Sequence, residues 1–184
     1  SVSETFQQRN TNSSIDTSLK ILEEIQDLCL HRNKELVVYL SMGFGNPYGD
    51  PWSADIVFEK ASMLATMGIK IISLADTVGV ATASQVYDLT SHLIREMIGI
   101  RIGVHLHAAA TNWHEKVEAA FKAGCRRFDG ALKGIGGCPM AGNALVGNID
   151  TTNLVWYLEQ EKVSTGLNMQ ALEEASEIAN EIFL

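Results

Sequence analysis

Two histidines separated by one residue, His105 and His107, end a β-branched run of the 184-residue chain. Because side chains alternate between the two faces of a strand, both imidazoles should point the same way while Leu106 points the other. Two imidazoles so placed at the open end of a strand can bind one divalent metal ion. The pattern also arises by chance, as a pair of packed or solvated histidines. The spacing therefore indicates a candidate metal site and leaves that alternative open.

A glycine-rich loop with a cysteine, GIGGCP at 134–139, follows the last β-branched run. Its three glycines permit unusual backbone angles, while Pro139 fixes the backbone directly after Cys138. A thiol in such a loop beside a metal suits acid–base or nucleophilic work, and the alternative is an ordinary turn. Cys29 and Cys125 occupy apolar positions, so we expect them to be inert, packed thiols.

Asp76 ends another β-branched run and is followed by Thr77. Its carboxylate could act as a general acid or base, or could support a neighbouring histidine. Capping the next helix is the alternative role. The remaining histidines lie in or near helical segments without partners, and we expect surface or packing roles for them: His31, His92 and His114.

Four β-branched runs must position these side chains, at 35–41, 69–76, 100–107 and 125–132. Apolar residues at helical spacing lie before and between the runs, and two helical segments follow, at 151–160 and 169–183. Ser53 is placed to cap the helix that follows it, and Gly68 to end it. Alternation of strand and helix at roughly 30 residues predicts an α/β fold with a parallel sheet.

Polar residues gather after the strands, which is where α/β barrels and open α/β sheets carry their sites. A TIM barrel needs eight βα units and about 250 residues, so four strands make half of one. An open, flavodoxin-like sheet also fits the length, although neither GxGxxG nor GxxxxGK[ST] follows any strand. Periodicity alone leaves both folds open.

Composition narrows the function classes. A net charge of −8, from 14 Lys and Arg against 22 Asp and Glu, disfavours nucleic acids and anionic membranes as partners. Three cysteines without CxxC spacing argue against a disulfide framework and fit a reducing compartment. No apolar run approaches membrane-spanning length, and residues 1–10 lack a signal-peptide pattern. We expect a soluble, cytoplasmic protein, and Ser1 in place of Met suggests a piece of a longer chain.

Seven motifs resemble, in the same order, those of hydroxymethylglutaryl-CoA lyases. They are SVSETF with N.N.SI (1–15), YLS (39–41), NPY (46–48), SLADTVGVAT (73–82), VHLH (104–107), FD (128–129) and GIGGCP (134–139). The resemblance runs from Ser1 to about Leu158, and its GxGGCP loop is specific to the lyase branch. Isopropylmalate and homocitrate synthases share the His-x-His motif but look unlike this loop.

The resemblance implies a (β/α)8 TIM-barrel type with only about the last four βα units in this chain. Residues 1–160 would supply strands five to eight, and 161–184 a C-terminal helical extension. The family's first strand brings an Arg-Asp pair, in which Asp binds the metal and Arg polarises the substrate. That strand would lie upstream of Ser1.

Carried over to this sequence, the family's metal ligands fall on His105, His107 and Asn148. The stretch from the loop cysteine to the Gly-Asn pair is one residue longer than expected, so Asn143 is an alternative ligand. The resemblance implies Mg²⁺ or Mn²⁺. Imidazole by itself favours Zn²⁺, and the upstream carboxylate with substrate oxygens would shift the preference to the harder ions.

The implied reaction is a retro-aldol, Claisen-type cleavage of a 3-hydroxy-3-methylacyl-CoA to acetyl-CoA and acetoacetate. Asp76, relayed through His105, would remove the hydroxyl proton, and Cys138 would protonate the departing enolate. An acyl-CoA is the expected substrate. We expect the chain to pack as a homo-oligomer or against the missing half of the barrel, because open sheet edges invite pairing.

Two departures indicate a divergent subgroup. Ala108 stands where the family usually has Asp, and Asn46 where it often has Cys. They bear on the identity of the acyl substrate more than on the metal. One alternative is a carboxyltransferase or aldolase of the same fold acting on another 2-oxo or 3-hydroxy acid. The other is an inactive barrel fragment.

Overall fold

The structure, a computed structural model, describes residues 1–137 and 146–183. Within them, four parallel strands form one sheet in chain order: β1 (Val37–Leu40), β2 (Ile71–Asp76), β3 (Arg101–Leu106) and β4 (Phe128–Asp129). The helices are α1 (Glu4–Thr11), α2 (Ile15–His31), α3 (Ala54–Thr66), α4 (Ala83–Glu96), α5 (Trp113–Lys122), α6 (Thr151–Gln160) and α7 (Met169–Phe183). The predicted α/β fold with a parallel sheet is confirmed.

The register of the strands decides which residues share a face. Asp76 pairs with Leu106, while His105 pairs with Ala75 on one side and Asp129 on the other. Residues paired across a parallel sheet point to the same face, and neighbours along a strand point to opposite faces. One face, which includes Leu106, packs into the core beneath the helices. The opposite face, which carries His105, points away from the helices, towards the inside of the predicted barrel, and is called the inward face below.

The helix ends follow from their local sequence. The hydroxyl of Ser53 accepts a hydrogen bond from the N–H of Ile56 at 3.2 Å, which confirms the predicted cap of α3. Gly68, just past the end of that helix, adopts a φ of +86°, which suits glycine. The cap of α4 is Thr82, which forms a capping box with Gln85. The alternative of a helix-capping role for Asp76 is therefore wrong.

Three details differ from the sequence prediction. Helix α1 was not predicted, although Ser3 caps it by accepting from the N–H of Phe6. Strand β4 is shorter than the run at 125–132, because after two paired residues the chain leaves β3 and Ala131 bridges to Asp150 instead.

The third difference concerns α2. Leu19 and Leu22 pack against the core, but Ile25 and Leu28, from the same predicted apolar stripe, are 41% and 57% exposed. Leu19 and Leu22 line a cavity of about 170 Å³ together with Val38 and Leu40 of β1, whereas Ile25 and Leu28 do not, so only part of the stripe is covered.

None of the helices within the described residues combines the length and hydrophobicity needed to cross a membrane. The division into a barrel part, 1–160, and a helical extension, 161–184, stays a prediction.

The loop after β1 is held by two polar side chains. The Asn46 side-chain oxygen accepts from the N–H groups of Tyr48 (3.0 Å) and Asp50 (3.1 Å), and its amide nitrogen donates to the Asp50 carbonyl. The Asp50 carboxylate in turn accepts from the hydroxyls of Ser3 and Thr5 and from the N–H of Thr5. The loop and the start of α1 are therefore one hydrogen-bonded unit, and a cysteine at position 46 would lack the amide group that forms three of its hydrogen bonds.

Asp50 predicts an acid-sensitive contribution to stability. Hydrogen bonds, first from Ser3 and then from Thr5, hold the pKa of its carboxyl below its usual value. Because the pKa is lower folded than unfolded, the contribution is complete above the unfolded pKa, about 4, and is lost as pH falls through the folded pKa. We expect Asp50→Asn to lower Tm at pH 6 and to flatten the dependence of Tm on pH between about 3 and 5. Thermal unfolding monitored by circular dichroism across this range measures both. A variant as acid-sensitive as the parent protein would show that Asp50 is not the group responsible.

Candidate active site

The two histidines meet at the end of β3. The Nε2 atoms of His105 and His107 lie 3.3 Å apart, and the ring centroids are 5.1 Å apart. Both imidazoles point the same way, as strand alternation predicts. A separation of 3.3 Å suits a hydrogen bond between two neutral rings, and it also suits two nitrogens that share one metal ion at bonds of about 2.1 Å.

Asn148 lies beside this pair. It forms an isolated bridge with His107, and Ala108 donates its N–H to the Gly147 carbonyl at 3.1 Å. The amide nitrogen of Asn148 donates to the Ile135 carbonyl at 2.8 Å. Its amide oxygen is buried and has no donor in good hydrogen-bond geometry within residues 1–137 and 146–183, although the nearby Asn148 side chain raises the pKa of His107. A buried acceptor without a partner is costly, so this oxygen suits a ligand role.

These three side chains line one open cavity of about 360 Å³. Its remaining lining comes from the ends of β1 and β2 and from the glycine-rich loop: Tyr39, Ser41, Ala75, Thr77 and Gly137. The Thr77 hydroxyl accepts from the N–H of Met42 at 2.8 Å, which ties the two strand ends together. Cys138 follows Gly137 directly in the chain, but it lies outside the described residues, as does the alternative ligand Asn143.

Burial sets the protonation of the histidines. It lowers the pKa of both His105 and His107, and for His107 the neighbouring ring lowers it further. Both imidazoles are therefore neutral near pH 7, which is the form that binds a metal.

The donor set fits a divalent ion. It consists of two neutral imidazoles and one amide oxygen. Because only two of these donors are His, Cys, Asp or Glu side chains, the site is not one of the clusters of three or more such residues, and none forms within the described part of the chain. The Nδ1 atoms of His105 and His107 are buried and have no partner among those residues. Each ring can therefore carry its proton on Nδ1 and turn Nε2 towards an ion.

Asp76 lies on the opposite face of the sheet. It shares its face with Leu106, and its carboxylate is completely buried. One oxygen is 2.8 Å from Nζ of Lys116, and the other accepts from the N–H of Ala81 at 3.1 Å. The acid–base role of Asp76 stays a prediction. Of the two roles that the sequence left open, the geometry favours support of the histidine segment.

Lys116 was missed in the sequence. It lies in α5 with its side chain 1% exposed, and it also donates to the carbonyl of His107 at 2.8 Å. A signal was present, because Trp113, Lys116, Val117 and Ala120 follow the i, i+3, i+4, i+7 spacing of a buried helical stripe. A lysine in such a stripe requires a buried partner.

A second cluster of polar side chains, formed by Tyr39, Ser73 and Asp129, lies on the inward face next to His105. The Tyr39 ring packs edge-on against that imidazole, with centroids 5.5 Å apart. Ser73 donates to the Asp129 carboxylate at 3.0 Å. Partial burial, followed by the charge of Asp129, raises the pKa of Tyr39. The sequence signal was the position of these polar residues within β-branched runs.

The other histidines and cysteines take packing or surface positions. His92 packs against Phe58, His114 lies among Trp113, Trp156 and Tyr157, and His31 is exposed, as expected. Cys125 is fully buried, and burial raises the pKa of its thiol to about 11, so it is inert as predicted. Cys29 is only half-buried.

Comparison with known proteins was made by sequence and by structure. A profile of the family described as HMGL-like matches residues 1–179. The chain is 32% identical over 176 residues to a hydroxymethylglutaryl-CoA lyase of Bacillus subtilis, covering 96% of this chain and 58% of that protein. It is 35% identical over 173 residues to the mitochondrial hydroxymethylglutaryl-CoA lyase of Bos taurus, covering 94% and 53%. The chain thus spans somewhat more than half the length of these relatives.

Solved structures agree. The HMG-CoA lyase of Bacillus subtilis superposes with a TM-score of 0.89 at 31% identity, over 98% of this chain and 60% of that one. An Acinetobacter baumannii HMG-CoA lyase, in complex with coenzyme A and 3-methylmalate, superposes with a TM-score of 0.81 at 31% identity, over 95% and 57%. The carboxyl transferase domain of Rhizobium etli pyruvate carboxylase, at 21% identity and a TM-score of 0.63, shares the fold alone. The predicted TIM-barrel type, present as four βα units, is confirmed.

The candidate metal site predicts a selective loss of metal binding. We expect His107→Ala, and likewise Asn148→Ala, to weaken Mn²⁺ binding, because each removes one ligand. For His107→Ala the loss should be at least the roughly 10–100-fold that removal of an outer-shell partner costs. Titration of Mn²⁺ followed by electron paramagnetic resonance of the free ion gives the Kd. His114→Ala, at an exposed histidine elsewhere, is the matched control and should leave Kd unchanged. Equal losses in all three variants would refute the site.

Proposed function

Since the chain belongs to the HMGL-like family, we propose that it forms the catalytic strand ends of a metal-dependent carbon–carbon lyase that cleaves 3-hydroxy-3-methylglutaryl-CoA. The products are acetyl-CoA and acetoacetate. One observation carries the proposal: two neutral imidazoles and an unpartnered amide oxygen converge on one open cavity at the ends of the strands.

Two imidazole nitrogens and one amide oxygen, from His105, His107 and Asn148, would hold the ion, which we propose is Mg²⁺ or Mn²⁺. When bound, a divalent ion lowers the pKa of a coordinated hydroxyl and stabilises negative charge on oxygen. The same hydroxyl must lose its proton as the carbon–carbon bond breaks. On the protein side, His105 lies at the cavity and is neutral near pH 7, so its Nε2, when released from the ion, can accept that proton from a substrate seated there.

Asp76 contributes to this step from behind the sheet. Its carboxylate is buried and engaged by Lys116 and by the N–H of Ala81, so it does not reach the cavity. Its negative charge raises the proton affinity of both imidazoles, against the effect of burial. We therefore assign Asp76 the supporting role, and His105 direct contact with the substrate hydroxyl.

We assign the second proton transfer to a residue of the glycine-rich loop. Cleavage leaves the enolate of a thioester, which must be protonated at carbon. Gly137 lines the cavity and Cys138 is its neighbour in the chain, which supports the thiol as the donor. Gly134 and Gly136 adopt φ angles of +66° and +91° and pack closely against Asn148, so the start of the loop lies directly beside a proposed ligand.

The acyl-CoA is the proposed substrate class because the relatives named above are hydroxymethylglutaryl-CoA lyases and one such structure holds coenzyme A. Ala108, which stands where the family usually has Asp, donates its N–H to the carbonyl of Gly147, next to Asn148. An alanine beside the proposed ligands makes this part of the site less polar than a carboxylate would. A panel of 3-hydroxyacyl-CoAs therefore belongs in any assay of the full-length protein.

The proposal predicts the effect of removing the loop thiol. In the full-length protein with Mg²⁺ or Mn²⁺, we expect Cys138→Ser to lower kcat on 3-hydroxy-3-methylglutaryl-CoA by roughly 10²–10⁴, the usual contribution of a general acid. Metal and substrate binding should change little. Acetoacetate release, coupled to a dehydrogenase, measures the rate. Cys125→Ser is the control: its thiol is buried and inert, so it should change stability rather than kcat.

Two results would overturn parts of the proposal. A Cys138→Ser variant as active as the parent protein would make the loop cysteine a turn residue. A full-length protein that cleaves no 3-hydroxyacyl-CoA would reject the lyase. It would favour a carboxyltransferase or aldolase, or an inactive barrel half.

Association and compartment are further proposals. Ile21, Ile25, Leu28 and Leu30 of the α2 region are 41–62% exposed, and burying such apolar surface stabilises an assembly. We expect the 184-residue chain to associate, with a second copy or with the other half of the barrel. Light scattering should give a mass above the 20.1 kDa of one chain, and a well-ordered monomer would contradict this.

The low cysteine content supports the cytoplasm as the compartment.

A further inference from the structure

The ammonium of Lys116 is completely hydrogen-bonded inside the protein. It lies 2.8 Å from the Asp76 carboxylate, 2.8 Å from the carbonyl oxygen of His107 and 3.1 Å from that of Gly79. A lysine ammonium carries three donors, and here each has an acceptor. The side chains of both Lys116 and Asp76 are at most 1% exposed, so solvent competes for none of these bonds.

Two of the three acceptors are backbone carbonyls, one in the metal site and one in a loop packed against it. The first is the carbonyl of His107, a proposed ligand. The second is the carbonyl of Gly79, in the loop after β2. That loop packs tightly on the segment that carries the other ligand, because a Cβ at Gly79 would lie 2.8 Å from a Val146 methyl. Asn148 follows two residues later and bridges to His107.

Asp76 supplies the countercharge that keeps the ammonium in place. Its second oxygen is held by the N–H of Ala81, so the carboxylate itself is fixed. An ion pair would need only this one contact. The further contacts to the carbonyls of His107 and Gly79 are not needed for the ion pair. They direct the three donors of the ammonium to three separate segments of the chain.

We propose that Lys116 is a positioning residue of the metal site. By holding the carbonyls of His107 and Gly79 on one buried ammonium, it keeps the His107 imidazole and the Asn148 amide within reach of the same ion. The inference rests on the metal site of the proposed function, but not on the reaction catalysed there. It assigns a role to a residue that contacts neither metal nor substrate.

The test separates positioning from simple stabilisation. In the full-length protein, Lys116→Met should weaken Mn²⁺ binding by roughly 10-fold or more, the cost typical of losing an outer-shell contact. It should also lower Tm, because it leaves a buried carboxylate unpaired. The double variant Asp76→Leu/Lys116→Met removes both charges and should recover much of the Tm. It should not recover the Mn²⁺ affinity, because the carbonyls of His107 and Gly79 still lack their donor.

A matched control lies on the same helix. Lys122 forms an exposed ion pair with Glu118 at 2.7 Å, so Lys122→Met should change neither Tm nor Mn²⁺ affinity appreciably. Electron paramagnetic resonance of free Mn²⁺ gives the affinities, and circular dichroism gives Tm. If Lys116→Met does not fold, the Mn²⁺ affinity of the double variant is compared with that of Asp76→Asn, which lacks the carboxylate charge but keeps Lys116 and its contacts with the two carbonyls.

Two outcomes would overturn the inference. Either Lys116→Met or the double variant binding Mn²⁺ as tightly as the parent protein would leave Lys116 only a structural ion pair. A parent protein that binds no Mn²⁺ would remove the site itself. The lyase assay is independent: a parent protein that binds Mn²⁺ through a Lys116-dependent site but cleaves no 3-hydroxyacyl-CoA would reject the proposed function and support this inference.

Discussion

A charge buried in the protein interior must be neutralised where it lies, and the pairing of Lys116 with Asp76 meets this requirement directly behind the candidate site. Breaking such a pair by removing one partner typically costs about 3–5 kcal/mol, whereas replacing both partners is often neutral. The pair therefore adds little to net stability while it strongly disfavours other arrangements. It joins the end of β2, helix α5 and the backbone of His107.

The two faces of the sheet carry different kinds of residues and have different roles. The helix-facing side carries the ion pair and the apolar core, and the inward side carries the imidazoles with Tyr39 and Asp129. Alternation along β3 makes this division possible, because Leu106 anchors the strand in the core between two histidines that face the cavity. Burial keeps both rings neutral, and the unpartnered oxygen of Asn148 completes a neutral donor set.

The sequence predicted the features that depend on local pattern. Strand alternation was enough to place His105 and His107 on one face, and Ser53 and Gly68 marked the ends of α3. Features that depend on long-range contacts were not predictable in this way. The partner of Asp76 lies 40 residues away in α5, and the register that turns Asp76 from the cavity is set by pairing with β3. The exposure of Ile25 and Leu28 likewise depends on where α2 meets the sheet, not on the helical stripe itself.

The central claim is that His105, His107 and Asn148 hold one divalent ion at the ends of the strands. Anomalous diffraction from crystals of the full-length protein grown with Mn²⁺ tests it most directly. The account predicts one strong peak about 2.0–2.3 Å from both Nε2 atoms and in contact with the amide oxygen of Asn148. Mn²⁺ bound elsewhere, with the two imidazoles still hydrogen-bonded to each other, would contradict it.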